Sequence, residues 1–232
     1  LVRGIPASKP ATQVDAETSI TLAGARSDYV SRGGHKLAGA LDAFPEILVD
    51  GKVALDAGAS TGGFTDVLLK RGASKVIAVD VGYGQLAWEL RQDPRVEIHD
   101  RTNVRNLSRE IIQDSADIVV ADLSFISLTL VIPALTAVSK PDADFLIMVK
   151  PQFEVGREKL GAGGVVRDPQ LRKNAVIEVA KSAHEMGLGT LGVVASPLPG
   201  PSGNVEYFLW LRRGAAMISD TAIDEAIAKG PQ

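Results

Sequence analysis

From Val30 onward, short runs of apolar, often β-branched residues alternate with stretches whose apolar positions recur at helical spacing. Lys52–Asp56, Lys75–Asp80, Val96–His99, Asp117–Ala121, Phe145–Val149, Gly189–Ala195 and Val205–Arg212 read as strands. Gly34–Phe44, Gly63–Arg71, Gln85–Arg91, Arg109–Asp114, Leu128–Val138, Gln170–Met186 and Thr221–Lys229 read as helices. Such alternation predicts an α/β fold, a mostly parallel sheet with helices on both faces. The last strand follows its predecessor through the turn-rich segment Pro197-Leu198-Pro199-Gly200-Pro201, which points to an antiparallel strand near the sheet edge.

Residues 1–28 read differently. Lys9-Pro10-Ala11-Thr12 and Asp15-Ala16-Glu17-Thr18 are turn-like, Ser19–Leu22 is a short strand candidate, and Ala23–Asp28 looks like a linker. This piece is too small to bury a core alone. The opening Leu1-Val2-Arg3-Gly4-Ile5-Pro6 has no initiating Met and is not a signal peptide, so a chain cut from a longer protein is expected.

At 232 residues the chain is long enough for one large α/β domain, and its 45% hydrophobic content is ordinary for a globular protein. It has no cysteine, which removes disulfides and cysteine-based metal sites. The histidines, His35, His99 and His184, form no close cluster, so no bound metal is expected. No apolar run approaches the ~20 residues of a membrane helix. A soluble, cytoplasmic protein is expected. The net charge of −3 gives no general attraction to nucleic acid, so any RNA contact needs a local basic patch or a separate basic domain.

The densest signal is Val53-Ala54-Leu55-Asp56-Ala57-Gly58-Ala59-Ser60-Thr61-Gly62-Gly63-Phe64-Thr65. An apolar strand ends in an acid, and a glycine-rich turn then opens a helix. Glycines let the backbone approach a ligand, and the acid can reach a polar group on it. The second strand ends in Asp80, roughly 20 residues on, where a carboxylate can take both hydroxyls of a ribose. The third ends at Asp100, within reach of an adenine edge. The glycines do not fall as in a dinucleotide fingerprint, and the Gly-Lys-Ser/Thr of a triphosphate-binding loop is missing. An adenosyl ligand without phosphates fits better.

The fourth strand ends at Asp122-Leu123-Ser124-Phe125 and the fifth at Lys150-Pro151-Gln152-Phe153-Glu154. Ends of parallel strands line one crevice, so Asp122 and Lys150 are expected neighbours. A lysine directly after a buried strand calls for a partner, and Asp122 supplies one. Lys36, in Ser31-Arg32-Gly33-Gly34-His35-Lys36-Leu37, and Glu206, in Ser202-Gly203-Asn204-Val205-Glu206-Tyr207-Phe208, are further charged candidates. By residue type alone each is more often a solvated surface group.

The blocks Ser31–Leu37, Leu55–Phe64, Asp80–Trp88, Ala121–Leu128, Lys150–Gly156, Gly163–Asp168 and Ser196–Leu211 resemble the TlyA family. These are bacterial rRNA 2′-O-methyltransferases that have also carried the label hemolysin, with a catalytic fold like that of the FtsJ/RrmJ ribose methyltransferases. The resemblance implies a Rossmann-like class I S-adenosylmethionine-dependent methyltransferase with a seven-stranded, mostly parallel sheet. Residues 29–232 would be the catalytic domain, and 1–28 the end of a ribosomal-protein-like RNA-binding domain plus linker. The family's Lys-Asp-Lys-Glu tetrad falls on Lys36, Asp122, Lys150 and Glu206. S-adenosylmethionine would be held by Asp56, Gly58, Ser60, Thr61, Gly62, Gly63, Phe64, Asp80, Asp100 and Asp122. Where the family has an Arg-Ala-Trp linker run, this chain reads Arg26-Ser27-Asp28-Tyr29. The implied substrate is cytidine ribose in ribosomal RNA or ribosomal subunits, handled by a monomer without metal or membrane.

In such a reaction the ribose 2′-oxygen attacks the cofactor methyl group in line. A ribose hydroxyl is a weak acid, so Lys150 is assigned as its base or its steering group, with Lys36 as a nearby cation. Asp122 and Glu206 would hold the two lysines. Arg32, Arg157 and Arg167 are candidate phosphate contacts, alongside Lys159, Arg172 and Lys173. Phe125 and Phe153 could stack on a flipped base or simply pack. The rivals are a base or small-molecule methyltransferase and a non-catalytic ribosome- or membrane-acting protein. Asp122-Leu123-Ser124-Phe125 lacks the Asn/Asp-Pro-Pro-Tyr pattern of amino-methylating enzymes, and nothing resembles a membrane-active helix.

Overall fold

The computed structural model describes Val2, residues 13–15, 17–19 and 28–230. The turn expected at Asp15–Thr18 forms, with Thr18 N donating to Asp15 O at 3.1 Å. The turn at Lys9–Thr12 and, apart from Ser19 and Asp28, the strand Ser19–Leu22 and linker Ala23–Asp28 lie outside the described residues.

Helix α1 (Arg32–Ala43) precedes β1 (Val53–Ala57), α2 (Gly63–Lys70), β2 (Lys75–Val79), α3 (Trp88–Arg91) and β3 (Val96–His99). The second half runs β4 (Ala116–Ala121), α4 (Ile132–Ala137), β5 (Ser139–Val149), α5 (Pro151–Glu154), α6 (Pro169–Glu185), β6 (Leu188–Ala195), β7 (Tyr207–Arg213) and α7 (Asp220–Lys229). The sheet order is β3-β2-β1-β4-β5-β7-β6. Strands β1 to β5 pair in parallel, and β7 lies antiparallel between β5 and β6. The antiparallel strand expected after the Pro/Gly-rich segment is this β7, inserted one place in from the edge.

Because β1, β2, β4 and β5 are covered on both faces, their sequences read as nearly unbroken apolar runs. Alternate residues feed two cores. Leu55, Ile77, Val119 and Phe145 pack under α4, α6 and α7. Ala54, Val76, Ile118 and Leu146 pack under α1, α2 and α3. At the far end of the sheet Asp144 locks the β5–β7 register, accepting from Trp210 Nε1 at 2.7 Å and from Arg212 Nε at 2.9 Å.

Three expected elements differ. Arg109–Asp114 is not a helix but a tight turn in which Ile111 N and Ile112 N both donate to Ser108 O. Its two apolar residues, Ile111 and Ile112, are adjacent and set no helical period, and so short a segment gains too few hydrogen bonds to offset nucleation. Leu128–Val138 divides into a 3₁₀ turn, Leu128–Leu130, and α4, where Pro133 occupies the first turn and cannot donate to the turn before it. Strand β5 starts at Ser139, earlier than its apolar core, and its polar opening Lys140-Pro141-Asp142 hid that extension.

The order of pairing reverses at β1, which has β2 on one side and β4 on the other. Ligands of open α/β sheets bind outside the carboxyl ends of strands at such a switch point. There β1 delivers the glycine-rich turn, β4 delivers Asp122 and β5 delivers Lys150.

Candidate active site

The turn after β1 is pressed against its neighbours. Gly58 and Gly62 have φ of 89° and 97°, the left-handed region that favours glycine. A Cβ on Gly58 would lie 2.5 Å from the Asp122 carbonyl oxygen, and one on Gly62 would lie 2.2 Å from Leu90 Cδ1. Gly58 N and Ala59 N donate to Val79 O, and Ser60 N donates to Asp80 Oδ2 at 2.8 Å. The other Asp80 oxygen accepts from Gly82 N at 2.6 Å. Asp80 thus ties the first two loops together. Asp100 does the same for the next pair, accepting from Gly84 N at 3.1 Å and pairing with Arg91 at 3.3 Å.

Asp56 is fully buried at the end of β1. Its Oδ2 accepts from Thr65 Oγ1 at 2.7 Å, while Oδ1 has no hydrogen-bond partner among the described residues. Burial pushes the carboxyl up to about 7; the Thr65 bond opposes this, and Asp122 and Asp80 reinforce it.

The expected tetrad converges as two ion pairs. Lys36, on the inner side of α1, meets Glu206, just ahead of β7, at 2.5 Å, with side chains only 8% and 1% exposed. Lys150 Nζ meets Asp122 Oδ1 at 2.5 Å and donates to Ser124 Oγ at 3.3 Å. At 2.5 Å the Lys150 ammonium and the Asp122 carboxylate compensate each other's charge. All four residues line one cavity of about 280 Å³. Of the expected cofactor residues, Gly58, Ser60, Thr61, Gly63, Phe64 and Asp122 share that lining. Asp56, Gly62, Asp80 and Asp100 support the turn and its flanking loops from outside the lining.

The candidate phosphate contacts separate. Arg32 lines the same cavity as the two ion pairs and donates to Pro199 O at 3.4 Å. Arg157 lines a second, larger cavity of about 940 Å³ that shares Ser124, Lys150, Pro201 and Glu206 with the first. Arg167 lines neither, and one of its nitrogens leans on Ala162 O at 3.5 Å. Phe125, 91% exposed with φ 62°, and Phe153 face each other across 5.1 Å at the rim of the larger cavity.

Sequence reasoning passed over several residues here. Arg105 and Gln152 line the larger cavity. Glu154 accepts from Ser127 Oγ at 2.6 Å and Leu128 N at 2.9 Å, latching the loop after β5 to the loop after β4. Burial holds its carboxyl above the usual range, against those two hydrogen bonds. Asn204 joins two more loops, accepting from Val166 N at 2.9 Å and donating to Gly164 O at 3.0 Å. A single polar residue in a loop carries no spacing signal that would mark such roles. Among the described residues no cluster of His, Cys, Asp or Glu could hold a metal ion, and no helix is long and apolar enough to cross a membrane.

A sheet in this order with a glycine-rich turn at the switch point is the Rossmann-like fold of class I methyltransferases, enzymes that draw a methyl group from S-adenosylmethionine, and a family profile places the chain among methyltransferases. Within that class the chain belongs to the FtsJ-like methyltransferase family, whose sequence profile matches residues 29–213. It is 57% identical to the 16S/23S rRNA (cytidine-2′-O)-methyltransferase TlyA of Mycobacterium tuberculosis, over 99% of this chain and 88% of that protein. It is 33% identical to the 23S rRNA (cytidine-2′-O)-methyltransferase TlyA of Campylobacter jejuni, over 78% of this chain and 70% of that one. A solved candidate hemolysin from Streptococcus thermophilus superposes with a TM-score of 0.84 at 39% identity, covering 91% of this chain and 78% of that chain.

Proposed function

We propose that this methyltransferase acts on ribosomal RNA, placing a methyl group on the ribose 2′-hydroxyl of cytidine in one or both ribosomal subunits, in the cytoplasm and as a monomer. The observation that carries the reading is the meeting of the pairs Lys36–Glu206 and Asp122–Lys150 around one cavity at the carboxyl ends of β4 and β5. The activities of the Mycobacterium and Campylobacter relatives support the substrate. Every residue invoked comes from one chain. Residues 1–28 are read as the end of an RNA-binding unit, separate from the catalytic unit 29–232.

The site suits S-adenosylmethionine. The turn after β1 lacks the lysine of a triphosphate-binding loop, so a phosphate-free adenosyl ligand is the better match, and Gly58 and Gly63 keep side chains out of the turn where it borders the cavity. Gly58, Ser60, Thr61, Gly63, Phe64 and Asp122 would hold the cofactor, with Asp80 and Asp100 at the ends of the next strands. When bound, it supplies an electrophilic methyl group on a positively charged sulfur.

The protein's part is placement and proton handling. Lys150 Nζ steers the 2′-hydroxyl as an ammonium donor or, as the neutral amine, takes its proton to become the ammonium that Asp122 then holds in place. Lys36, anchored by Glu206, keeps a second positive charge at the same cavity, which favours an oxygen that becomes negative as it reacts. Holding hydroxyl and methyl in line contributes much of the rate. Arg32 and Arg157 would contact flanking phosphates, and the Phe125–Phe153 pair offers a stacking face for the target base.

The test is product identity. Unmodified ribosomal subunits would be incubated with the protein and labelled S-adenosylmethionine, digested, and the labelled nucleoside identified. The expected product is 2′-O-methylcytidine. A base-methylated nucleoside would contradict the proposal.

A further inference from the structure

Lys150 needs more than a charge partner to act on a hydroxyl. Its Nζ has three directions besides the bond to Cε. In the neutral amine two of them are N–H bonds, and the third is the lone pair that takes a proton. Rotation about the Cε–Nζ bond is easy, so the lone pair aims at a substrate only when both N–H bonds are held elsewhere. Asp122 can hold one of them. A carboxylate oxygen at 2.5 Å repels a lone pair and attracts an N–H. The other N–H needs a second acceptor.

Ser124 supplies it. Its Oγ accepts from Lys150 Nζ at 3.3 Å, and both residues line the cavity of the two ion pairs and the larger cavity beside it. The loop that carries Ser124 is fastened at both ends. Asp122 N donates to Ala57 O at 3.1 Å, and Glu154, on the same loop as Lys150, accepts from Ser127 Oγ at 2.6 Å and Leu128 N at 2.9 Å. Between these anchors the backbone is strained. Phe125 has a φ of 62° without being glycine, and its side chain is 91% exposed. A ring so exposed gains little from packing, so the anchors maintain the strain beside Ser124. Ser124 itself is exposed, so its hydroxyl completes no core contact.

The geometry points to Ser124 as a positioning residue for Lys150: the serine takes one N–H, Asp122 takes the other, and the lone pair is left for the ribose 2′-hydroxyl. This rests on the reading of the enzyme as a ribose 2′-O-methyltransferase. In the reaction Lys150 takes the hydroxyl proton as the 2′-oxygen bonds to the methyl carbon, and the electron pair of the carbon–sulfur bond stays on sulfur. Lys150 finishes as the ammonium, its third N–H made from the substrate's proton, and the leaving thioether is neutral. Orientation matters most when RNA fills the cavity, because water is then displaced and no longer offers the amine alternative partners.

The experiment is a double-mutant cycle in the full-length protein, comparing wild type, Ser124→Ala, Lys150→Ala and the double variant. Single-turnover methyl transfer to unmodified ribosomal subunits would be followed with S-adenosylmethionine saturating and subunit concentration varied. The limiting rate and the half-saturating concentration are then read separately, with melting temperature as a control. Ser124→Ala should lower the limiting rate roughly 10-fold and leave the half-saturating concentration within about twofold of wild type. Without Lys150 the serine has nothing to aim, so the double variant should match Lys150→Ala within about twofold. A serine that shapes the loop or touches the RNA would instead slow the Lys150→Ala protein by the same factor or shift the half-saturating concentration, and either result would overturn the assignment. An unchanged limiting rate in Ser124→Ala would overturn it too. Failure of the wild type to methylate ribose at all would bring down the functional reading, and the assignment with it.

Discussion

Lys36 and Glu206, 170 positions apart in the chain, meet in a buried ion pair of 2.5 Å that closes α1 over the entry to β7. Such a pair is costly to break from one side, because the remaining charge stays buried without its partner; the typical penalty is about 3–5 kcal/mol. Glu206→Gln should therefore lower unfolding stability by several kcal/mol in urea titration. The double variant Lys36→Met/Glu206→Gln should lose clearly less than the sum of the single changes. Additive losses would mean that the two groups do not depend on each other.

The buried Asp56 makes stability depend on pH. Its carboxyl is pushed from 3.8 to about 7, so on raising the pH the unfolded chain loses this proton before the native one does. The stabilisation is complete below about pH 4 and is lost as pH passes 7, at ~1.4 kcal/mol per unit. Relative to Asp56→Asn, the wild type should lose about 2–3 kcal/mol between pH 5 and pH 8. Parallel stability curves for the two proteins over that range would contradict this.

Gly58 is where the turn after β1 touches the end of β4. A Cβ there would sit 2.5 Å from the Asp122 carbonyl, at a φ of 89° that L-residues avoid. Gly58→Ala should reduce S-adenosylmethionine affinity at least ~10-fold in titration calorimetry and lower stability by at least about 1 kcal/mol. Unchanged affinity would mean that the turn yields without disturbing the site.

Glu154 ties the Phe125 loop to the loop after Lys150 through Ser127 and Leu128 N. Glu154→Ala should raise KM for ribosomal subunits several-fold while leaving S-adenosylmethionine binding nearly intact. Glu154→Gln keeps an acceptor for Leu128 N and should restore most of the loss. Equal damage from both changes would assign the latch to charge rather than to loop geometry.

Much of this architecture was legible because its strands are buried on both faces. Lys75–Val79 and Ala116–Ala121 fall where their apolar runs place them, within a residue of the expected bounds. Turns were less legible. Arg109–Asp114 has only the adjacent pair Ile111-Ile112 to set a period, and the structure shows the segment closing as a turn. In the site, Asp122 and Lys150 could be paired from topology alone, since each directly follows a central strand. Lys36 and Glu206 could not, because their meeting depends on how α1 folds back over the Pro197–Pro201 turn; only family resemblance singled them out. Arg167 looked like a phosphate contact by charge, yet lines neither cavity.

The central claim is that Lys150, set by Asp122 beside the Lys36–Glu206 pair, handles the proton of an RNA 2′-hydroxyl. The most direct measurement is single-turnover methyl transfer to ribosomal subunits by wild type and Lys150→Ala, each saturated with S-adenosylmethionine, with the product nucleoside identified. Wild type should give 2′-O-methylcytidine, and the variant should be slower by about 10²–10⁴-fold with cofactor and subunit affinities nearly unchanged. A variant that transfers methyl within a few-fold of the wild-type rate would contradict the account.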